Sequence, residues 1–209
     1  MPGTQLRNRE EIRSRVLLAA ERVFADYGYA GASFSRIAEA AGLPKSNVVY
    51  YFETKKALYR LVVSDIFDVW RAAADTIMVD NEPLMALSGY IDTKFDLARQ
   101  RPYGSKVWAN EIIQRAPIVQ DYLEDELVSW TEARIEVIET WIARGQIRAV
   151  SARHLLYAIW ATTQHYADFT HQITTLNGSR PLTDRQWQET KAAVKDLLLS
   201  GVALRSCDD

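Results

Sequence analysis

The chain has 209 residues, of which 48% are hydrophobic, with a formal net charge of −2 and a single cysteine, Cys207. That length allows one domain or two small ones with a substantial core. The lone cysteine excludes an internal disulfide and fits a reducing compartment. No run of eighteen apolar residues suggests a membrane span. The opening stretch, MPGTQLRNREEIR, lacks the apolar segment of a signal peptide. A cytoplasmic location is the expectation. Helix formers dominate and Gly and Pro are few, so the expected class is all-α.

The net charge looks wrong for a nucleic-acid binder, but its distribution does not. Residues 1–60 carry ten Lys or Arg against six Asp or Glu, and the remainder fifteen against twenty-one. A basic head on an acidic body turns the head toward phosphates and keeps the body away from them.

Residues 1–9 are polar and read as a loose arm carrying Arg7 and Arg9. The first helix is expected from about Glu10 to Tyr27. Ile12, Val16, Ala20, Val23 and Tyr27 recur at three- and four-residue steps, and Gly28 stops it. Ser33 is then a good N-cap for a short helix whose apolar face is Ile37, Ala38 and Ala41. Gly42 ends that helix, because a positive φ is least strained without a Cβ. Leu43 plugs the turn, and Pro44 opens a second short helix, where its missing N–H costs nothing. Val48, Tyr51 and Phe52 pack inward. Lys45, Ser46, Asn47 and Tyr50 remain at the exposed N-terminal end.

Two short helices across a tight turn make a helix-turn-helix, whose second helix presents its N-terminal residues to the major groove. Lys45 suits guanine O6 and N7, and Asn47 suits the adenine edge. Apolar spacing alone also fits an ordinary helical hairpin with a polar outer side. The Ala-Ala-Gly-Leu turn and the basic tip favour DNA.

Ile37-Ala38-x-x-Ala41-Gly42-Leu43 followed by Tyr51-Phe52-x-x-Lys55-x-x-Leu58 resembles the TetR family of bacterial repressors. Two positions depart from the commonest pattern. Pro44 replaces the usual Ser or Thr cap. Val49 stands where many members carry a phosphate-touching Tyr, a contact that Tyr50 is then expected to take over. The DNA-facing set is Ser35, Arg36, Lys45, Ser46, Asn47, Tyr50, Tyr51 and Lys55. The resemblance implies a three-helix DNA-binding domain at residues 8–56, and a six-helix ligand-binding and dimerisation domain at 57–205.

Thr54 caps the fourth helix, and Lys55 at its start is read as a phosphate clamp, since a helix N-terminus attracts anions. This helix is expected to run to about Met78 and to link head and body. After Asn81-Glu82-Pro83 comes a helix over Leu84–Arg99, with Leu87, Ile91, Phe95 and Ala98 on one stripe. Arg101-Pro102 breaks it, and Tyr103–Gln114 follows. Pro117 opens a helix to about Arg144, stopped by Gly145. Ser151 caps His154–Leu176, and Thr183 with Gln186 forms a capping box for the last helix. The count is nine helices and no strand.

Half a helix-turn-helix site is short, so specific binding needs two heads about 34–36 Å apart. A homodimer through the last two helices is expected. Ala161, Thr162, Ala167, Ala192, Ala193 and Gly201 permit close approach, and the stripe Trp187–Leu198 supplies apolar area. The same stripes could simply close the monomer core.

The run WATTQHYADF, residues 160–169, places polar groups on a helix that should be largely buried. Such groups pair with one another or await a ligand. Trp160, Gln164 and Asp168 share one face. The run also resembles the YcdC-like C-terminal domain of the pyrimidine-utilisation repressor branch of the TetR family, which implies a small-molecule effector such as uracil. Further wall candidates are Trp70, Trp108 and Glu111. An enzyme is the distant alternative. His165, Asp168 and His171 look like metal ligands, but the outer two lie about 240° apart around a helix. No Gly-rich phosphate loop and no Ser/His/Asp signature stands out. Neither metal nor cofactor is expected. A helical interaction protein that has lost DNA binding is the other rival, and Pro44 and Val49 are its best support.

Overall fold

The computed structural model of the protein describes residues 2–204, all-helical in its regular elements. Cys207 lies outside them. The helices are α1 (Pro2–Gly31), α2 (Phe34–Ala41), α3 (Lys45–Tyr51), α4 (Lys55–Ala73), α5 (Pro83–Gln100) and α6 (Pro102–Ile113). Then come α7 (Gln120–Tyr122), a π turn at Leu123–Leu127, α8 (Val128–Ala143), α9 (Ala152–Asp168), α10 (Thr170–Leu176) and α11 (Asp184–Val202). If α7, the π turn and α8 count as one rod, and α9 and α10 as one broken helix, these described elements make the expected nine.

Several boundaries differ from the sequence reading, among them a start at Gln120 where Pro117 was expected to open a helix. The loose arm is helical, because no breaker interrupts the chain between Gly3 and Gly28, where φ is 64°. Pro44 is the N-cap of α3 and not its first residue. Helix α4 stops at Ala73, five residues before Met78. The carbonyls beyond it are taken by side chains of α8: Arg134 donates to Ile77 O at 2.7 Å and Trp141 Nε1 to Val79 O at 3.2 Å. Backbone groups with such partners have no need of a helix. The long helix expected to Leu176 breaks at Phe169 (φ −107°, ψ 31°), where the Thr170 hydroxyl donates to Ala167 O at 2.6 Å. A threonine bonded back to the preceding turn competes with the helical ladder.

The chain divides into two compact units. The first holds the chain up to Asp68 together with Tyr103–Gln120, so α6 groups with the head. Its core is Val16, Ala20, Val23, Phe24, Ile37, Ala38, Val48, Phe52 and Leu58, the apolar stripes of α1–α4. Trp108 of α6 stacks on Phe67 of α4 (centroids 5.8 Å, planes 10° apart). Gly104 is needed at the start of α6, because a Cβ there would sit 3.2 Å from Glu21 Oε1 and from Ile66 Cγ1.

The second unit holds Val69–Pro102 and the chain from Asp121 onward. Its core is built from Ile77, Leu87, Tyr90, Ile91, Phe95, Ile138, Trp141, Leu156 and Ile159. Helix α5 packs on α9 and α11. Along α11, Lys195 holds Asp92 and Lys191 holds Asp96, while Asp184 pairs with Arg99.

Candidate nucleic-acid interface and effector site

The head is assembled as a capped pair of helices. The Ser33 hydroxyl accepts from Arg36 N at 3.3 Å, which starts α2. Gly42 is left-handed (φ 61°, ψ 38°) and its N–H closes α2. Leu43 N then bonds back to Ala38 O at 3.0 Å, which completes the turn. Arg15 of α1 donates to Ala41 O at 2.7 Å and so holds the C-terminus of α2 from behind. A cation on the free carbonyls of a helix end is favourable.

This framework sets the faces of α3. Val48 and Phe52 are buried in the head core. Lys45 and Ser46 are exposed, Asn47 is half-buried, and Tyr50 is 71% exposed. Tyr51 is half-buried and packs edge-on against Tyr50. Arg9 of α1 sits 5.9 Å from the Tyr50 ring centroid and 6.0 Å from that of Tyr51, so a residue of the expected arm stands beside α3. Ser35 and Arg36 are exposed, and the Arg36 guanidinium lies 4.3 Å over the Tyr27 ring.

Lys55 does something the sequence did not show. Its ammonium donates to Tyr29 O at 2.8 Å and to Ala32 O at 3.0 Å, and lies 4.5 Å over the Tyr29 ring. It ties the carbonyls at the end of α1 to the start of α4. Lys56, next to it, is exposed.

The six residues expected around an effector fall in both units. Trp108 and Glu111 belong to the first. The Glu111 carboxylate is buried and accepts three hydrogen bonds there: from Tyr59 Oη at 2.9 Å, Ile118 N at 2.8 Å and Val119 N at 3.2 Å. It organises the turn after α6, where Arg115 and Ala116 take positive φ. Arg60 adds a bond to Ile118 O at 2.8 Å. Burial, and then the Glu111 bond, push the Tyr59 hydroxyl far above its ordinary range, so it stays a proton donor.

Trp70, Trp160, Gln164 and Asp168 belong to the second unit. Trp160 is stacked on Trp130 (6.2 Å, 26°), and its Nε1 donates to Tyr90 Oη at 2.8 Å. Gln164 is half-buried and its amide has no hydrogen-bond partner among the described residues. The sequence reading missed Lys94. It is 3% exposed, with its ammonium 4.0 Å over the Trp70 ring. Burial lowers its pKa to about 7, against a smaller upward pull from Asp168. The signal was present, since Lys94 interrupts the stripe of Leu87, Ile91 and Ala98 at an inward position.

Among the described residues no group of His, Cys, Asp and Glu is placed to hold a metal ion. His171 falls in α10, beyond the Phe169 break, and His165 stacks on Phe169. No described helix is long and apolar enough to cross a membrane.

Comparison with known proteins agrees with this geometry. The model of bacterial regulatory proteins of the tetR family matches residues 16–62, and that of the YcdC-like protein C-terminal region matches residues 63–205. The chain is 33% identical over 193 residues to the HTH-type transcriptional regulator RutR of Escherichia coli O157:H7, spanning 92% of this chain and 91% of that one. It is 26% identical to the HTH-type transcriptional activator FasR of Mycolicibacterium smegmatis, over 83% and 76% of the two chains. Among solved structures, the TetR family regulator PfmR of Thermus thermophilus shares the fold with a TM-score of 0.70 at 17% identity, over 93% of this chain and 97% of that one. A TetR family regulator from Marinobacter aquaeolei does so with a TM-score of 0.70 at 24% identity, over 95% and 100%. The relatives are transcriptional regulators and not enzymes. The helix-turn-helix at the head, the all-helical body and these matches over nearly the whole length agree: the chain belongs to the TetR family of helix-turn-helix transcriptional regulators, with a YcdC-like C-terminal region.

Proposed function

We propose that the protein is a dimeric operator-binding repressor, released or engaged by a small oxygen-bearing ring such as uracil. The observation that carries the DNA part is the division of α3: Val48 and Phe52 fill the head core while Lys45, Ser46 and Tyr50 face outward. In this reading residues 8–56 form the DNA-binding domain and 57–205 the effector and dimer domain. Lys45 and Asn47 read base edges. Ser35, Arg36, Ser46, Tyr50 and Tyr51 approach the backbone, and Lys55 contributes its helix N-terminus and not its ammonium. Selection of genomic fragments by the full chain tests this. A footprint with two half-sites about one helical turn apart is expected. Recovery of no fragment above background would end the proposal.

Dimerisation is assigned to α9 and α11. Ala161, Ala192, Ala193 and Gly201 are exposed, Leu197 is 72% exposed, and a Cβ at Gly201 would meet nothing. Ala167 is fully buried and belongs to the monomer core. Leu197→Arg is expected to convert the dimer to a monomer in light scattering, with the helical signal unchanged. A dimer that persists would move the interface elsewhere.

For the effector, Trp160, Gln164 and Asp168 with Trp70 form the proposed site. Gln164 offers a donor and an acceptor side by side, which match the alternating N–H and C=O of a pyrimidine-dione. Uracil is expected to raise the melting temperature of the wild type. Gln164→Leu should lose most of that rise and keep the unliganded melting point. Trp160→Ala should lose both, because it also breaks the bond to Tyr90. The switch is a two-state one, in which the effector acts through its different affinity for two angles of the link helix α4.

A further inference from the structure

Lys94 stands among the apolar residues of α5, yet its long side chain ends in an ammonium with three donors and no acceptor. Among the described residues its ammonium meets the Trp70 ring face at 4.0 Å and feels the Asp168 charge, and nothing there accepts a hydrogen bond from it. The other charges nearby do not neutralise it. Asp92 and Asp96 lie two residues away, about 200° round the helix, and hold Lys195 and Lys191 of α11. Arg134 of α8 is spent on Ile77 O, and Tyr90 of α5 accepts from Trp160. On α9, His165 stacks on Phe169. A buried ammonium with three donors and no acceptor is unfavourable. One turn before Asp168 on α9, the half-buried Gln164 amide makes no hydrogen bond to another described residue.

We infer that Lys94 is the anchor of the effector site, its ammonium donating to an oxo group or oxyanion of a small planar ring whose edge meets Gln164 and Asp168. This rests on the effector-binding reading of the body and narrows it. A ligand that is purely an alkyl chain, or a cation, would leave Lys94 as unfavourable as before. Below about pH 7 the Trp70 ring holds the ammonium as a cation–π pair until the oxygen arrives. An arriving oxygen favours the charged form, so binding takes up a proton when the pH lies above about 7, the pKa of the free site.

The test uses the full-length protein and five probes: uracil, thymine, xanthine, urate and benzoate. At least one should raise the melting temperature of the wild type. Lys94→Met should bind that probe at least tenfold more weakly, while its unliganded melting point equals or exceeds the wild type. Lys94→Gln, which keeps a neutral donor, should recover part of the affinity. Calorimetry at pH 7.5 in two buffers of different ionisation heat should show proton uptake in the wild type and none in Lys94→Met. If Lys94→Met binds the probe as the wild type does while Gln164→Leu does not, the effector site stands and Lys94 is only a core residue. If a purine or benzoate binds and uracil does not, Lys94 stands and the pyrimidine reading falls. If none of the five shifts the wild type, the inference is overturned, and operator binding is unaffected.

Discussion

Replacing Lys45 and Asn47 together by alanine is expected to abolish specific operator binding and leave the fold intact. Both sit at the N-terminal end of α3, where Lys45 is exposed and Asn47 half-buried, while Val48 and Phe52 fill the core. A good side-chain pair with a base edge discriminates by about 1–3 kcal/mol. In the proposed dimer each contact would be made twice, so four contacts would be lost. Even at the low end this totals about 4 kcal/mol, or on the order of a thousand-fold in affinity. Lys45 is exposed and Asn47 half-buried, so the melting point should move little. Fluorescence anisotropy on a selected fragment, at fixed salt, reads the loss. Salt must be fixed because the phosphate contacts remain and their strength falls steeply with ionic strength. Equal affinity of wild type and double variant would show that α3 does not read the groove. In that case a helical interaction protein of the same fold is the better account.

The second large effect is on stability. Glu111→Ala should destabilise the first unit by roughly 3 kcal/mol, because three donors lose their acceptor in a buried setting and each unsatisfied group costs about 1–3 kcal/mol. Those donors are the Tyr59 hydroxyl and the N–H groups of Ile118 and Val119. Tyr59→Phe removes one bond only and should cost about 1 kcal/mol. Denaturant unfolding of the full chain measures both. The ordering matters more than the values: if Glu111 served chiefly as an effector contact, its removal would weaken ligand binding and leave stability near the wild type. Its three protein partners predict the reverse.

The local rules carried most of the fold. The Ser33 cap, the left-handed Gly42, the Thr183–Gln186 capping box and the stripe Leu87–Ile91–Phe95–Ala98 act between residues a few positions apart, so the sequence displays them directly. The helix-turn-helix and its outward tip follow from that same local periodicity. Where the sequence reading failed, the cause lay at long range. The end of α4 depends on Arg134 and Trp141, more than fifty residues away, which take the carbonyls of Ile77 and Val79. The helical arm, the Pro44 cap and the Phe169 break are exceptions, each set by neighbouring residues.

Site residues divide the same way. That Lys45 is exposed was legible, because Val48 and Phe52 set the inward face of a single short helix. That the Lys55 ammonium turns to the carbonyls of Tyr29 and Ala32 was not, for these lie twenty-six and twenty-three residues earlier. Glu111 looked like a wall of a ligand site as long as its partners were unknown. Lys94 stood in plain view within an apolar stripe, but only the packing of α5 shows it buried beside Trp70 with no acceptor among the described residues. By itself the sequence determined most of the helices, their caps and the exposed start of α3, since these obey short-range spacing. The tertiary structure alone decided which charged groups have partners among the described residues and which do not, because that depends on neighbours brought together from distant parts of the chain.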